Sequence, residues 1–127
     1  MIEIVNLTKT YKSKKQNTTA LDNVNLTLGD SGIVFVLGKS GCGKTTLLNM
    51  LGAIHEFDDG EIVVDGRKLS KMTEKERCAF RNSYVGFVFQ EYNLIDDFNV
   101  EENIAIAQEL QRKQPSEKIT ELLKELE

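Results

Sequence analysis

Gly38-Lys39-Ser40-Gly41-Cys42-Gly43-Lys44-Thr45 fits G-x-x-x-x-G-K-[ST], the spacing of a phosphate-binding loop. Glycines at 38, 41 and 43 open backbone conformations closed to residues with a Cβ, so successive N–H groups can turn toward one anion. Lys44 adds a point charge able to reach the β- and γ-phosphates of a nucleotide, and Thr45 a hydroxyl suited to Mg²⁺. The apolar run Ile33-Val34-Phe35-Val36-Leu37 precedes the loop, and Thr46-Leu47-Leu48-Asn49-Met50-Leu51 can continue from it as a helix. The positive dipole end and unpaired N–H groups of that helix would face the phosphates. This strand, loop and helix context separates the motif from a turn with an incidental lysine.

The elements that must position the loop follow from pattern and punctuation. Ile2-Glu3-Ile4-Val5-Asn6-Leu7 alternates as a half-buried strand with Tyr11 just after it. Polar, aperiodic residues 12–19 read as a flexible loop into a second strand at about 24–28, its lysines either a solvated face or neighbours of anionic lipid headgroups. Residues 29–32 form a turn, and 33–37, apolar at every position, predict a central strand buried on both faces. The helix after the loop ends near Gly52-Ala53, residues 61–64 form a strand, and Asp65-Gly66 is a hairpin turn into 67–69. Thr73 with Glu76 is a capping box for a helix from about 74 to 81, with Cys78 buried in it. Residues 84–89 predict another strand, ending at Gln90. Asn99 with Glu102 opens a helix to about Gln111 with Val100, Ile104, Ala107 and Leu110 on one face. Pro115 starts a last helix bearing the apolar stripe Ile119, Leu122, Leu123 and Leu126.

At 127 residues the chain should be one domain, burying roughly two-thirds of its unfolded surface. Its 40% hydrophobic and 28% charged residues are ordinary for a globular protein, and a net charge of −4 supplies no basic field for nucleic acid. No apolar run approaches the roughly 20 residues of a membrane span, and Met1-Ile2-Glu3-Ile4 lacks the regions of a signal peptide, so the expected place is the cytoplasm. Cys42 and Cys78 form neither a metal-ligand spacing nor a disulfide framework, in keeping with a reducing compartment. His55 stands alone, which favours a helix-end or surface position over catalysis or metal binding.

Asn6-Leu7-Thr8-Lys9-Thr10-Tyr11, Ala20-Leu21-Asp22-Asn23-Val24-Asn25-Leu26, the phosphate loop, Asp59-Gly60-Glu61-Ile62 and Gly86-Phe87-Val88-Phe89-Gln90 together resemble the N-terminal part of an ATP-binding cassette (ABC) transporter ATPase subunit, over essentially the whole chain. Residues 81–90, followed by Asn93-Leu94-Ile95 and Glu102-Asn103-Ile104, are most similar to the branch that exports macrolides, antimicrobial peptides or lipoproteins. The resemblance implies an α/β fold: part of a P-loop NTPase core, an N-terminal antiparallel β subdomain and the start of a helical subdomain. Residues 1–90 would form the β subdomain and core, and residues 91–127 the Q-loop and the start of the helical subdomain.

The same resemblance assigns roles. Tyr11 matches the aromatic that stacks on adenine, while Gly38, Ser40, Gly41, Cys42, Gly43, Lys44, Thr45 and Thr46 would bind ATP. Gln90 matches the Q-loop glutamine, which approaches Mg²⁺ or the attacking water; Lys44 and Gln90 would serve catalysis, and Thr45 and Gln90 the metal. In such proteins the signature loop, the second acidic motif, the catalytic glutamate and the switch histidine lie beyond the glutamine, and this sequence holds none of them, which implies about half a cassette. Binding of Mg·ATP without efficient hydrolysis is therefore expected of this stretch. The parent would work peripherally on the inner face of the membrane with a transmembrane permease subunit or domain and a second ATPase subunit, without nucleic acid. Residues 33–37 and 84–89 would not be neighbours in the family's parallel sheet, so exposed apolar faces and self-association or rearrangement are expected. Tyr92, Leu94, Ile95 and Phe98 either receive helices of the permease or pack against the rest of the cassette. Other readings are a non-hydrolysing nucleotide-binding module, a soluble ABC ATPase of DNA repair or translation, and a different P-loop protein such as a small-molecule kinase or a GTPase, the last of which would need an Asn-Lys-x-Asp guanine reader that is missing here.

Overall fold

The alternation of the first strands is broken by single extra residues, and those breaks shape the sheet. The computed structural model describes residues 1–110 and 118–125, in two compact units, Met1–Arg81 and Asn82–Glu127. In the first unit β1 (Ile2–Lys12), β2 (Asn17–Leu28), β3 (Asp59–Val64) and β4 (Arg67–Lys68) form an antiparallel sheet in the order β2-β1-β3-β4. Helix α1 (Lys44–Leu51), a 3₁₀ turn (Leu69–Lys71) and most of α2 (Glu74–Tyr84) complete it. The second unit holds α3 (Val100–Leu110) and α4 (Lys118–Glu125).

Ile4 and Leu7 are both buried although strict alternation would place them on opposite faces. Asn6, with φ 50°, lies inside a register shift and re-phases the strand so that both reach the core. Asn23, also at φ 50°, does the same in β2. Side chains tie these irregularities together: Asn25 Oδ1 accepts the Asn6 N–H at 2.9 Å, Asn25 Nδ2 donates to the Asn23 carbonyl at 2.9 Å, and Thr8 Oγ1 accepts the Asn23 N–H at 3.1 Å. Gly60 on β3 meets this knot, for at φ +92° a Cβ there would stand 2.4 Å from the Asn6 carbonyl oxygen. The buried apolar set of the first unit is Ile4, Leu7, Leu21 and Ile62 from the sheet, Leu47 and Met50 from α1, and Ala53, Leu69 and Phe80 beyond. Leu47 and Met50 stand three apart on one helix face, and each such burial contributes about 1.5–3 kcal/mol.

Local signals hold where they close within a few residues. Asp65 (φ 47°) and Gly66 (φ 77°) make the two-residue turn between β3 and β4. Both capping boxes are reciprocal: Thr73 Oγ1 accepts the Glu76 N–H at 3.3 Å and Glu76 the Thr73 N–H at 2.8 Å, with the Asn99 and Glu102 equivalents at 2.9 and 2.8 Å. Residues 12–19 differ from expectation: β1 and β2 run on to Lys12 and Asn17, leaving only a tip at 13–16 closed by Ser13 N–H to the Gln16 carbonyl at 3.2 Å. The β-branched Thr18 and Thr19 pair with Tyr11 and Thr10 and extend the ladder.

Two expected strands are corrected. Residues 33–37 carry no strand, and Ile33, Phe35 and Leu37 are 84%, 79% and 86% exposed. A strand exists through its partners, and no described strand pairs with this run. Residues 85–89 likewise form none: α2 continues past residue 81 to Tyr84, and Phe87 and Phe89 stack on each other with centroids 5.0 Å apart. Cys78 is exposed rather than buried, its helix turning Phe80 inward instead. Of the expected apolar face of α3, Val100, Ile104 and Leu110 are exposed. Ile119 of α4 is buried, whereas Gln111, Pro115 and Leu126 lie outside the described residues.

Gly60→Ala should lower stability by at least about 2 kcal/mol, from a strained φ plus collision with the Asn6 carbonyl. Chemical denaturation checks this, and an unchanged midpoint would mean that β3 can move off the bulge freely.

Candidate functional site

The phosphate-loop glycines do three separable jobs. Gly43, at φ 96°, is the N-cap of α1, whose start has no side-chain cap. A Cβ on it would sit 2.3 Å from the Ala20 carbonyl oxygen, so glycine lets the loop press against β2. A Cβ on Gly38 would meet Cys42 Sγ at 2.6 Å, which makes the loop close on itself, helped by the Cys42 N–H to the Lys39 carbonyl at 3.3 Å. Gly41 takes φ 77° in open space.

Lys44 folds back over this loop. Its Nζ donates to the carbonyls of Gly38 at 2.9 Å and Lys39 at 2.8 Å, and lies 3.7 Å from Cys42 Sγ. These acceptors are neutral, so the full positive charge stands at the loop mouth beside the positive end of α1. Cys42 and Thr45 are exposed and Thr46 half-buried, the two threonines in the first turn of α1. The sheet brings Tyr11 to the same place: its hydroxyl lies 3.5 Å from Thr46 Oγ1 across 35 residues of sequence. Tyr11 keeps 42% of its surface open. Tyr11 and the loop residues 38–46 are thus brought together in the first unit, whereas Gln90, exposed, belongs to the second.

Long-range polar contacts around the site escaped the sequence. Asp58 accepts the Thr10 N–H at 2.6 Å and Lys9 Nζ at 3.1 Å, and its own N–H donates to the Thr8 carbonyl at 3.0 Å. The Thr10 N–H first, then Lys9, hold its carboxyl below the ordinary carboxylate value. In sequence Asp58 merely precedes the strand at 61–64. In the second unit Asn103 accepts the Ile95 N–H at 2.8 Å, and its Nδ2 faces the carbonyls of Ile95, Phe98 and Asn99 at 3.0–3.2 Å, pinning the loop that carries exposed Leu94 and Phe98. Its only sequence signal was its place in the resemblance.

The arrangement suits a polyphosphate: a glycine cradle, an uncapped helix start and one lysine. Among the described residues no group of three or more His, Cys, Asp or Glu could hold a metal. The Thr45 hydroxyl fits Mg²⁺, which keeps several waters and takes oxygens from a bound phosphate. Residues 21–127 match the family model described as ABC transporter. The chain belongs to the ABC transporter family. The chain is 39% identical over 129 residues to the lipoprotein-releasing system ATP-binding protein LolD of Buchnera aphidicola, covering 99% of the chain and 56% of LolD. It is 36% identical over 129 residues to the bacitracin export ATP-binding protein BceA of Halalkalibacterium halodurans, covering 99% and 51%. These two relatives are ATP-binding proteins named for lipoprotein release and for bacitracin export. Among solved structures, the dimeric ATP-binding cassette MJ0796 of Methanocaldococcus jannaschii, bound to ADP and Pi, matches with a TM-score of 0.83 at 35% identity, over 87% of this chain and 48% of that one. The mixed α/β fold with its antiparallel sheet is thus that of an ABC cassette, and the chain spans about half the length of the relatives it matches. Among the described residues no helix is long and apolar enough to cross a membrane.

Because the folded state holds Asp58 below its ordinary value, the stabilisation from this carboxylate is fully present above about pH 4 and is lost as pH falls through the folded value. The stability advantage of the wild type over Asp58→Asn should therefore stay constant from about pH 7 to 5 and shrink in more acid solution. Paired urea melts across that range check it, and an advantage that grows on acidification would refute the linkage.

Proposed function

We propose that this chain is the ATP-binding part of an exporter ATPase, taking Mg·ATP in the loop at 38–46 with the base against Tyr11. The observation that carries the reading is Lys44 Nζ, held over the loop mouth by the Gly38 and Lys39 carbonyls. A triphosphate entering there meets the loop N–H groups and α1's positive end while Lys44 neutralises its outer charge. Thr45 would give its hydroxyl to Mg²⁺, and by the family resemblance Gln90 would give its amide oxygen; the ion, when bound, would draw charge from the phosphates. By the same resemblance Gln90 would also orient the attacking water. No aspartate or glutamate in this sequence follows an apolar strand in the way the family's acidic motif does, so this stretch by itself would bind nucleotide and turn it over poorly. Within the whole protein, binding and hydrolysis would drive a transmembrane permease together with a second ATPase subunit, peripherally on the cytoplasmic face of the membrane, with residues 92–98 as the receiving surface. Residues 1–90 act as the β subdomain and core, and 91–127 as the Q-loop and start of the helical subdomain.

Calorimetric titration of the 127-residue chain with Mg·ATP should saturate near one nucleotide per chain, with binding about 10- to 100-fold weaker in Lys44→Ala. Equal affinity of the two chains would sink the assignment. The exposed run at 33–37 leads us to expect association of this chain in solution, relieved by Phe35→Asp. Sedimentation velocity tests that, and a wild-type monomer at every concentration would reject it.

A further inference from the structure

Beside the loop, a carboxylate, a cation and an aromatic ring stand in one row. The Lys9 side chain is only 16% exposed, unusual for a lysine, and its Nζ sits 3.1 Å from Asp58 and 5.7 Å from the centroid of the Tyr11 ring. Asp58 is itself fixed to the backbone on both sides of Lys9, accepting from Thr10 N–H at 2.6 Å and donating to the Thr8 carbonyl at 3.0 Å. The far end of the ring is placed by its hydroxyl, 3.5 Å from Thr46 Oγ1 on the loop helix. A cleft of about 580 Å³ opens along this row, lined by Lys9, Tyr11, Ile54, His55 and Asp58 among others.

We propose that Lys9, held by Asp58, is a positioning residue that covers one face of Tyr11 and presents the other to a purine base, so setting how strongly the site prefers a nucleotide to a bare polyphosphate. This rests on the nucleotide reading above and deepens it by naming a determinant of base recognition. A cation beneath a ring draws its π electrons down, which lowers repulsion between the opposite face and the π cloud of a stacked base. The Asp58 contact gives Lys9 one conformation, so the ring is held before the base arrives and little ordering is left to oppose binding. An exposed lysine–aspartate pair would do none of this. The burial of Lys9 and the further backbone bonds of Asp58 set this pair apart.

The test compares Mg·ATP with Mg·tripolyphosphate, which carries the phosphates without a base, by calorimetry on the wild type, Lys9→Met, Lys9→Gln and Lys9→Arg. The wild type should prefer ATP. Lys9→Met and Lys9→Gln should lose about three- to fivefold of that preference with tripolyphosphate affinity unchanged, and Lys9→Arg should keep it. Unchanged preference in both uncharged variants, or equal weakening of both ligands, overturns the clamp. A wild type that binds ATP and tripolyphosphate equally overturns base stacking on Tyr11 while leaving the phosphate cradle standing. A wild type that binds neither overturns the nucleotide reading and the clamp with it.

Discussion

The contact on which the site depends is the approach of Gly43 to the Ala20 carbonyl. With no Cβ in the way, the start of α1 lies directly on β2, and through the β1–β2 ladder the loop is placed relative to Tyr11 at the far end of β1. A Cβ at 43 would stand 2.3 Å from the Ala20 carbonyl oxygen, so the helix would have to move off the strand and the loop would lose its fixed distance to the ring. The left-handed φ of Gly43 serves the same end, turning the chain into the helix without a capping side chain that would compete with an anion. Lys44 then completes a charge arrangement that glycine geometry has already aimed.

The antiparallel sheet is held less by regular ladder than by managed irregularity. Bulges at Asn6 and Asn23 would leave backbone groups unpaired, and the Asn25 and Thr8 side chains accept or donate in their place. Gly60 gives β3 room to lie against them. The result is a sheet whose inner face gathers Ile4, Leu7, Leu21 and Ile62 in spite of uneven spacing. The same sheet carries the site, so fold and function share these contacts.

The runs at 33–37 and 85–89 show what apolar sequence does without a partner. Both have the composition of buried strands, yet neither forms a ladder here. Backbone hydrogen bonds of a strand are made with another segment, so composition predicts burial only when that segment is packed alongside. Helices meet no such requirement, and α1 and α2 form directly beside these runs.

How much was legible depended on the range of the interaction involved. Both capping boxes, the Asp65-Gly66 turn, α1 and the phosphate loop close within a few residues, so residue type and spacing were enough to determine them. The family could be read for the same reason, since its motifs are contiguous words. The association of Tyr11 with Thr46, the grip of Asp58 on Thr10 and Lys9, and the close approach of Gly43 to Ala20 and of Gly60 to Asn6 were decided only by tertiary structure. Each joins residues brought together by sheet register, and register follows from packing one face of every strand at once, a condition that no local window contains.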